Sequence, residues 1–376
     1  MTVDSVGEID ITTDSFLGLF VLAALVVVVV VVLLLRHHHR LSRLGKVVVA
    51  GVTTVLLLIG AGAGINAHFD YFRTLGDVLG LPPSDEVALA ALLARKDRPS
   101  RGVVTTMTIP GRASDFAGRP AMVWVPPAWF ARPRPTMPVV VLLHGTPGTP
   151  QDWLDGGRAG AAADAYAAAH GGSAPILVMP DINGTVDGDS ECVDGPGGRV
   201  ETYLTVDVPR FLEQVFHAAP PGRRWAVAGL SEGGSCSLML ALRHPELFET
   251  FGDYAGLAGP RAGDTNADTA SAVAQLFGGS QTAFEAHEPA QLLASRRYPQ
   301  LGGWFEVGDA DPEPAAAAST LVPAAQRAGI TTCSVVVPGG THTFDVFSRA
   351  FADSLPWMAG RLGAGPVVRG CPSQDS

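Results

Sequence analysis

A serine placed between glycines at a predicted strand-to-helix turn is the feature that most restricts how this chain can fold. The apolar run at 225–228 precedes Gly229-Leu230-Ser231-Glu232-Gly233, and helix-compatible residues follow at 235–243. Because a sharp turn of this kind leaves no room for Cβ atoms, it needs glycines on both sides of the serine. Such a turn exposes the Ser231 hydroxyl, so we interpret Ser231 as a candidate nucleophile.

A serine nucleophile needs a histidine base and a carboxylate that orients the base, in the chain order Ser, Asp or Glu, His. The histidines after Ser231 are His244, His287 and His342. His244 lies at the far end of the predicted helix, and no strand leads into His287. The β-branched run at 331–337 leads directly to His342, which we therefore predict to be the base.

The carboxylate is expected in the loop after the strand at 304–307, and this loop contains two aspartates. We favour Asp311, because enough of the turn precedes it for its side chain to fold back over the strand ends. Asp309 is the alternative acid, although it can instead cap the turn. Asp253 is a third candidate, since some enzymes take the acid from the neighbouring strand.

Acyl transfer through a serine also needs two backbone N–H donors that stabilise the oxyanion. The residue after the nucleophile provides one, which predicts Glu232 for this position. The second is expected in the loop that follows the apolar run at 139–143. We choose Thr146 in that loop, because Pro147 has no N–H to donate. His144 lies at a strand end well before the serine, so we interpret it as structural.

These motifs resemble the esterase branch of the α/β-hydrolases, which holds esterase D-like enzymes and the actinobacterial mycolyltransferases. The resemblance covers residues 103–362. It rests on Leu142-Leu143-His144-Gly145, Gly229-Leu230-Ser231-Glu232-Gly233-Gly234, Arg243-His244-Pro245-Glu246-Leu247-Phe248 and Gly339-Gly340-Thr341-His342. It implies an acyl-transfer site with Ser231, Asp311 and His342, and with Asp309 as the alternative acid. Glu232 departs from relatives that carry an uncharged residue there, and its role is open between binding a cationic substrate group and forming a salt bridge.

Two apolar segments near the N-terminus, at 16–35 and 47–67, contain no charged residue. Each is long enough to cross a hydrocarbon core of about 30 Å, which predicts a two-helix transmembrane hairpin. The basic residues between them are Arg36, Arg40, Arg43 and Lys46. The positive-inside rule places this loop in the cytoplasm and the rest of the chain outside the cell membrane. A cleaved signal peptide is disfavoured, because only acidic charges precede the first segment.

The sequence divides into a transmembrane hairpin at 1–68, a connector at 69–101, a catalytic domain at 102–363 and a C-terminal tail at 364–376. Strand-like runs alternate with helical segments in the catalytic domain, which predicts an α/β fold with a mostly parallel sheet flanked by helices. The strand-like runs are 103–109, 121–125, 139–143, 176–179, 225–228, 251–255, 304–307 and 332–337.

Three further segments are candidates for the walls of the active-site cleft. The insertion at 259–294 is expected to be a lid or an acyl-binding wall, with plain packing as the alternative. Asp152-Trp153 and Asp181-Ile182-Asn183 each lie in a loop after a strand and are also candidates, although loop polarity explains them equally well.

The four cysteines fit an oxidising compartment, where disulfides persist. We favour Cys192 with Cys236 and Cys333 with Cys371, since the second bridge would fix the tail to a strand; buried free thiols are the alternative. The formal net charge is −10 and basic clusters larger than a pair are confined to the membrane loop, so a nucleic-acid partner is not expected. The chemistry needs no cofactor, and no cysteine or histidine spacing indicates zinc.

The sequence therefore predicts a membrane-tethered, extracytoplasmic serine hydrolase that cleaves carboxylic esters through an acyl-enzyme. The location next to a bilayer favours lipid or cell-envelope esters. An acyltransferase of the mycolyltransferase type and a non-catalytic envelope scaffold are the alternatives.

Overall fold

A computed structural model describes residues 11, 24–25, 27–29, 31–32, 36, 42–69, 71–72, 74–79, 86–368 and 370–371. The chain divides into two compact units, Met1–Ser84 and Asp85–Ser376.

Among the described residues of the first unit, one helix has the length and composition of a membrane span. Helix α1 (Arg43–Phe69) is followed by the short helix α2 (Leu75–Val78). Within α1, Arg43–Ala67 has a mean hydropathy of 2.2 and is long enough to cross a bilayer. This helix includes the second predicted span. Most of the first predicted span, at 16–35, lies outside the described residues, so the two-helix hairpin stays a prediction.

The described residues of the second unit contain an eight-stranded sheet in the order β1-β2-β4-β3-β7-β8-β9-β10. Its strands are β1 (Val103–Met107), β2 (Ala121–Val125), β3 (Val139–Leu143), β4 (Ile176–Met179), β7 (Gly222–Leu230), β8 (Phe248–Tyr254), β9 (Gly302–Gly308) and β10 (Thr331–Val337). The β1–β2 and β2–β4 pairs are antiparallel and the other pairs are parallel. Each strand overlaps one of the predicted runs, which confirms the mostly parallel sheet. A separate hairpin is formed by β5 (Asp194–Gly195) and β6 (Gly198–Arg199).

Helices alternate with these strands. They are α3 (Leu89–Ala94), α4 (Ala159–Ala169), α5 (Val200–Thr202), α6 (Val208–Phe216), α7 (Glu232–Arg243), α8 (Thr269–Leu276), α9 (Gln281–Glu285), α10 (Pro289–Ser295), α11 (Pro312–Arg327) and α12 (Phe344–Leu362). Strand β3 shows why the sheet is covered on both faces. Val139, Val141 and Leu143 join one core cluster, whereas Val140 and Leu142 join the other. Because side chains alternate along a strand, a run of apolar residues needs cover on both sides.

The second half of the predicted connector packs on the sheet. Helix α3 buries Leu92 completely. Glu86 pairs with Val104 of β1, and its Oε1 accepts a hydrogen bond of 2.6 Å from Thr106 Oγ1. This part of the connector therefore contacts the catalytic domain.

Both favoured disulfides are present. Cys192 is bonded to Cys236 of α7, and Cys333 of β10 is bonded to Cys371. All four cysteines are among the described residues and none is free. The first bridge joins the loop after β4 to the helix that follows Ser231, and the second fixes the tail to a strand as predicted.

Candidate active site

Ser231 lies between β7 and α7 in a backbone conformation that residues with side chains rarely adopt. Its φ is 55° and its ψ is −122°, a combination that costs free energy unless the surroundings enforce it. A Cβ atom on Gly229 would lie 2.1 Å from the Gly233 carbonyl oxygen, and one on Gly233 would lie 2.2 Å from the Leu143 carbonyl oxygen. The two flanking glycines therefore allow α7 to approach β7 and β3, which enforces the turn.

Ser231, His342 and Asp311 form a continuous series of hydrogen-bond contacts. His342 Nε2 lies 2.9 Å from Ser231 Oγ, and His342 Nδ1 lies 2.6 Å from Asp311 Oδ2. The three residues follow β7, β10 and β9, and parallel strands all end at the same edge of a sheet. Asp311 is buried, while the His342 side chain is 42% exposed. This arrangement can move a proton from the hydroxyl to the imidazole and stabilise the resulting imidazolium.

The other candidate acids lie elsewhere. Asp309 is exposed, and its Oδ1 accepts a hydrogen bond of 2.7 Å from the Gly339 N–H, so it caps the turn. Asp253 is buried, and its Oδ1 accepts a hydrogen bond of 2.9 Å from the Gly256 N–H. Burial raises the pKa of Asp253 to about 7. Asp311 is the aspartate among these candidates that contacts His342.

The remaining candidate histidines bind other carboxylates. His244 Nε2 lies 2.6 Å from Glu201 Oε1, and His287 Nε2 lies 2.9 Å from Glu201 Oε2. His144 is fully buried, with Nε2 3.1 Å from Asp181 Oδ1. His144 thus has the structural setting that the sequence indicated.

The two predicted oxyanion donors are at the cleft beside Ser231. Thr146 and Glu232 both line it, together with Ser231 and His342. Neither of their backbone N–H groups donates to another described residue. A Cβ atom on Gly145 would lie 3.1 Å from Ser231 Cβ, so the loop after β3 passes directly beside the serine.

The Glu232 carboxylate connects three segments of the site. Its Oε2 accepts a hydrogen bond of 2.7 Å from Asn183 Nδ2 and contacts Thr146 Oγ1. Its Oε1 accepts hydrogen bonds from the N–H groups of Ser190 and Glu191, at 3.2 and 2.9 Å. Burial raises the pKa of Glu232 to about 7. Of the two roles left open for Glu232, a salt bridge is not formed with any described residue, and its oxygens are already occupied by donors from the protein.

The cleft has a volume of about 380 Å³ and an acidic lining. The acidic residues that line it are Asp189, Glu191, Glu232, Asp264, Asp311 and Glu313, and no described lysine or arginine joins them. Burial raises the pKa of Asp189 to about 6 and that of Glu191 well above its usual range. The cleft next to the serine hydroxyl is therefore lined by acidic side chains, of which Asp189, Glu191 and Glu232 hold a proton more readily than a free carboxyl group does.

Residues 118–358 match the model of a protein family described as "Putative esterase". The chain belongs to this esterase family. An uncharacterised protein of Corynebacterium glutamicum is 33% identical over 339 residues, which are 86% of this chain and 78% of that protein. Diacylglycerol acyltransferase/mycolyltransferase Ag85A of Mycobacterium tuberculosis is 42% identical over 60 residues, which are 16% of this chain and 17% of that protein.

Solved structures give the fold of the esterase. The S-formylglutathione hydrolase from Agrobacterium tumefaciens matches with a TM-score of 0.59 and 20% identity, over 72% of this chain and 99% of that one. The esterase therefore has the α/β-hydrolase fold, and the predicted resemblance to the esterase branch is confirmed. Family membership supports ester hydrolysis or acyl transfer as the activity.

The two loop segments that were candidates for the cleft wall lie outside the lining of the cleft. Trp153 is fully buried, and its ring packs against Tyr254 in the core. Asp152 is buried and caps its own turn through Thr149. Asp181 is also buried, in an ion pair with Arg119. A position after a strand does not reveal whether a side chain points into the cleft or beneath it. Here the Trp153 ring packs in the core, and the Asp152 carboxylate caps a turn.

The insertion at 259–294 contributes little to the cleft of the esterase. Only Gly263 and Asp264 of this segment line it. Helices α8, α9 and α10 bury apolar side chains instead, including Leu276, Phe284 and Leu292. These helices therefore follow the packing alternative.

Sequence reasoning missed Asp189 and Glu191. They lie in an irregular loop whose composition does not separate them from other surface acids. The one usable signal was Cys192, because a bridge from Cys192 to Cys236 places its neighbour Glu191 beside the start of α7.

Proposed function

We propose that this esterase is a serine hydrolase that cleaves carboxylic esters through an acyl-enzyme. The observation that carries the proposal is the unbroken contact from Ser231 through His342 to Asp311. Ser231 Oγ attacks the ester carbonyl while His342 Nε2 accepts its proton, and Asp311 stabilises the imidazolium. His342 then donates the proton to the leaving alcohol. Water next attacks the acyl-enzyme while His342 Nε2 accepts its proton, and His342 returns that proton to Ser231 Oγ as the acid leaves.

The oxyanion of each tetrahedral intermediate is bound by the backbone N–H groups of Thr146 and Glu232 in this proposal. Two fixed donors are what acyl transfer requires, because charge develops on the carbonyl oxygen only as the nucleophile attacks. Support comes from the position of both residues in the lining of the cleft and from the lack of another described acceptor for their N–H groups.

We also propose that the enzyme is anchored in the cell membrane with its catalytic domain outside the cytoplasm. The apolar helix α1, the basic residues around Arg43 and the two disulfides support this location. The segment at 16–35 would complete a hairpin with α1. An active site held near a bilayer favours lipid or cell-envelope esters as substrates.

Hydrolysis of p-nitrophenyl esters by the full chain in detergent tests the hydrolase. We expect steady-state turnover by the wild type and a loss of about 10⁴-fold or more in kcat for Ser231→Ala, because the nucleophile is removed. Turnover of Ser231→Ala at the wild-type rate would show that the reaction does not use this serine.

An acyltransferase is the second candidate, and the local match to Ag85A favours it. In this case an alcohol other than water attacks the acyl-enzyme. Product analysis with and without a sugar acceptor separates the two activities. A transferase forms a new ester at the expense of free acid, whereas a hydrolase releases the same amount of acid in both reactions.

A further inference from the structure

Glu191 is a buried carboxylate with an oxygen that the protein does not satisfy. The residue is 3% exposed and lines the cleft beside Ser231. Its Oε2 accepts no hydrogen bond from the described residues. Buried carboxylate oxygens are normally bonded, because a buried acceptor without a donor costs about 1–3 kcal/mol or more. The missing donor is therefore expected to come from a molecule that enters the cleft.

The position of Glu191 is fixed by the same segment that carries the serine. Its N–H donates to Glu232 Oε1, and the next residue, Cys192, is bonded to Cys236 in α7. The φ angles of Glu191 and Cys192 are 46° and 54°, a conformation that persists only where surrounding contacts enforce it. The carboxylate is thus held at a constant position relative to Ser231.

The charges around Glu191 favour a cation over a neutral donor. Burial raises its pKa, and the negative charges of Glu232 and Asp189 raise it further. Asp264 has the same effect on Asp189. A hydroxyl group would complete the hydrogen bonds of Glu191 and leave the repulsion between the carboxylates unchanged. An ammonium group would provide donors and also oppose this repulsion.

The protein cation that acts on Glu191, Arg261, is already engaged. Arg261 lowers the pKa of Glu191 through its backbone N–H and its charge, but its guanidinium is bonded to Glu288 and to the Pro260 and Asn266 carbonyls. Among the described residues, no group of three or more His, Cys, Asp or Glu side chains is arranged to hold a metal ion. These observations favour an organic cation.

We propose that Glu191, together with Asp189, binds a protonated primary amine carried by the ester substrate. This inference rests on the proposed ester cleavage at Ser231 and adds a substrate class to it, namely esters with an ammonium group on the acyl or the alcohol part. The sequence left cation binding open as a role for Glu232. In this proposal Glu191 binds the cation instead, because the oxygens of Glu232 already accept hydrogen bonds from the protein.

Two matched pairs of esters test this proposal on the full chain in detergent at neutral pH. The acyl pair is p-nitrophenyl aminohexanoate and p-nitrophenyl heptanoate, and the alcohol pair is aminopropyl butyrate and butyl butyrate. Within each pair an ammonium group replaces a methyl group of nearly the same size. We expect kcat/KM to be at least about tenfold higher for the ammonium member of one pair, the ratio that corresponds to one charged hydrogen bond.

The variant Glu191→Gln should reduce this ratio to near one. The ratio is taken within each protein, so a general loss of activity cancels. Glu213→Gln is the matched control, since it removes a carboxylate from the exposed surface of α6, outside the cleft lining, and should keep the wild-type ratio. If Glu191→Gln does not fold, Asp189→Asn replaces it and should lower the ratio several-fold.

Equal kcat/KM values within both pairs, or a wild-type ratio in the Glu191 or Asp189 variant, would overturn the amine site and leave ester cleavage standing. Failure of the wild type to hydrolyse any of the four esters would contradict the proposed function, and the amine site would fall with it.

Discussion

Carboxylates flank Ser231 on two sides, and the sides differ in what completes their hydrogen bonds. On the relay side, Asp311 contacts His342, which contacts the serine. On the acidic side, Glu191 and Glu232 are buried next to each other, and burial raises the pKa of both. The relay side is complete within the protein, whereas the acidic side lacks a donor. The same residue type thus acquires different tasks from its partners.

The largest effect is expected on the relay side. Asp311→Asn should lower kcat by about 10³–10⁴-fold, because an amide no longer holds the imidazole in the required tautomer and does not stabilise the imidazolium. Asp309→Asn is the matched control two residues away and should stay within about threefold of the wild type. Steady-state kinetics on both variants decides between the two aspartates, and an equal loss in both would contradict the assignment.

On the acidic side, Glu232→Ala should lower kcat by about 10–100-fold. The change removes the acceptor that joins Asn183, Ser190 and Glu191 to the residue after the nucleophile, so an oxyanion donor loses its fixed position. Glu232→Gln retains one acceptor oxygen and should lose less. Kinetics of the two variants side by side measures the difference, and a Glu232→Ala protein with wild-type kcat would show that this carboxylate does not position the site.

Removing each of the two disulfides in turn allows the acidic side and the relay side to be compared in kcat. They close loops of similar sequence separation, 44 and 38 residues, so removing either one should cost about 4 kcal/mol of unfolding free energy in the chain-entropy model. Replacing Cys192 and Cys236 together should also lower kcat about tenfold, because the loop that carries Glu191 is then no longer bonded to α7. The variant at Cys333 and Cys371 should keep its kcat. Denaturant unfolding and kinetics at the same temperature test this, and equal kcat losses would refute it.

The smallest expected effect is a change in how the unfolding free energy depends on pH. Burial raises the pKa of Asp253 from 3.8 to about 7 in the folded protein. Because its pKa is raised in the folded state, Asp253 makes a contribution to the unfolding free energy that is fully present below pH 3.8. This contribution is lost as the pH rises through about 7. Asp253→Asn removes this dependence and keeps an acceptor for the Gly256 N–H.

The gain in unfolding free energy of Asp253→Asn over the wild type should therefore be larger at pH 8 than at pH 5, by about 1 kcal/mol or more. Urea unfolding at the two pH values measures it. An equal gain in unfolding free energy at pH 5 and pH 8 would contradict the account in which burial without a nearby cation raises the pKa of Asp253.

The relay side could be predicted because each member follows a recognisable strand. Glycines mark the turn at Ser231, a β-branched run leads into His342, and a short strand precedes Asp311. These are local patterns, and parallel pairing brings their ends together. The eight strands were predictable for the same reason, since apolar runs of this length form buried strands.

The acidic side could not be predicted, because its geometry depends on long-range contacts of an irregular loop. Nothing local distinguishes Glu191 from an exposed loop acid. Trp153 shows the opposite error, since a loop position suggested the cleft and the ring lies in the core. Sequence patterns thus identify elements and their order, whereas the direction of a loop side chain depends on what packs against it.

The most direct test of the central claim is to locate a covalent adduct. The full chain in detergent is treated with a fluorophosphonate, and the modified residue is identified by mass spectrometry of its peptides. We predict a single adduct on Ser231 Oγ, which is absent in Ser231→Ala and forms much more slowly in His342→Gln. A folded wild-type protein that stays unmodified would favour the scaffold alternative, and an adduct on any other residue would equally contradict a nucleophile at Ser231.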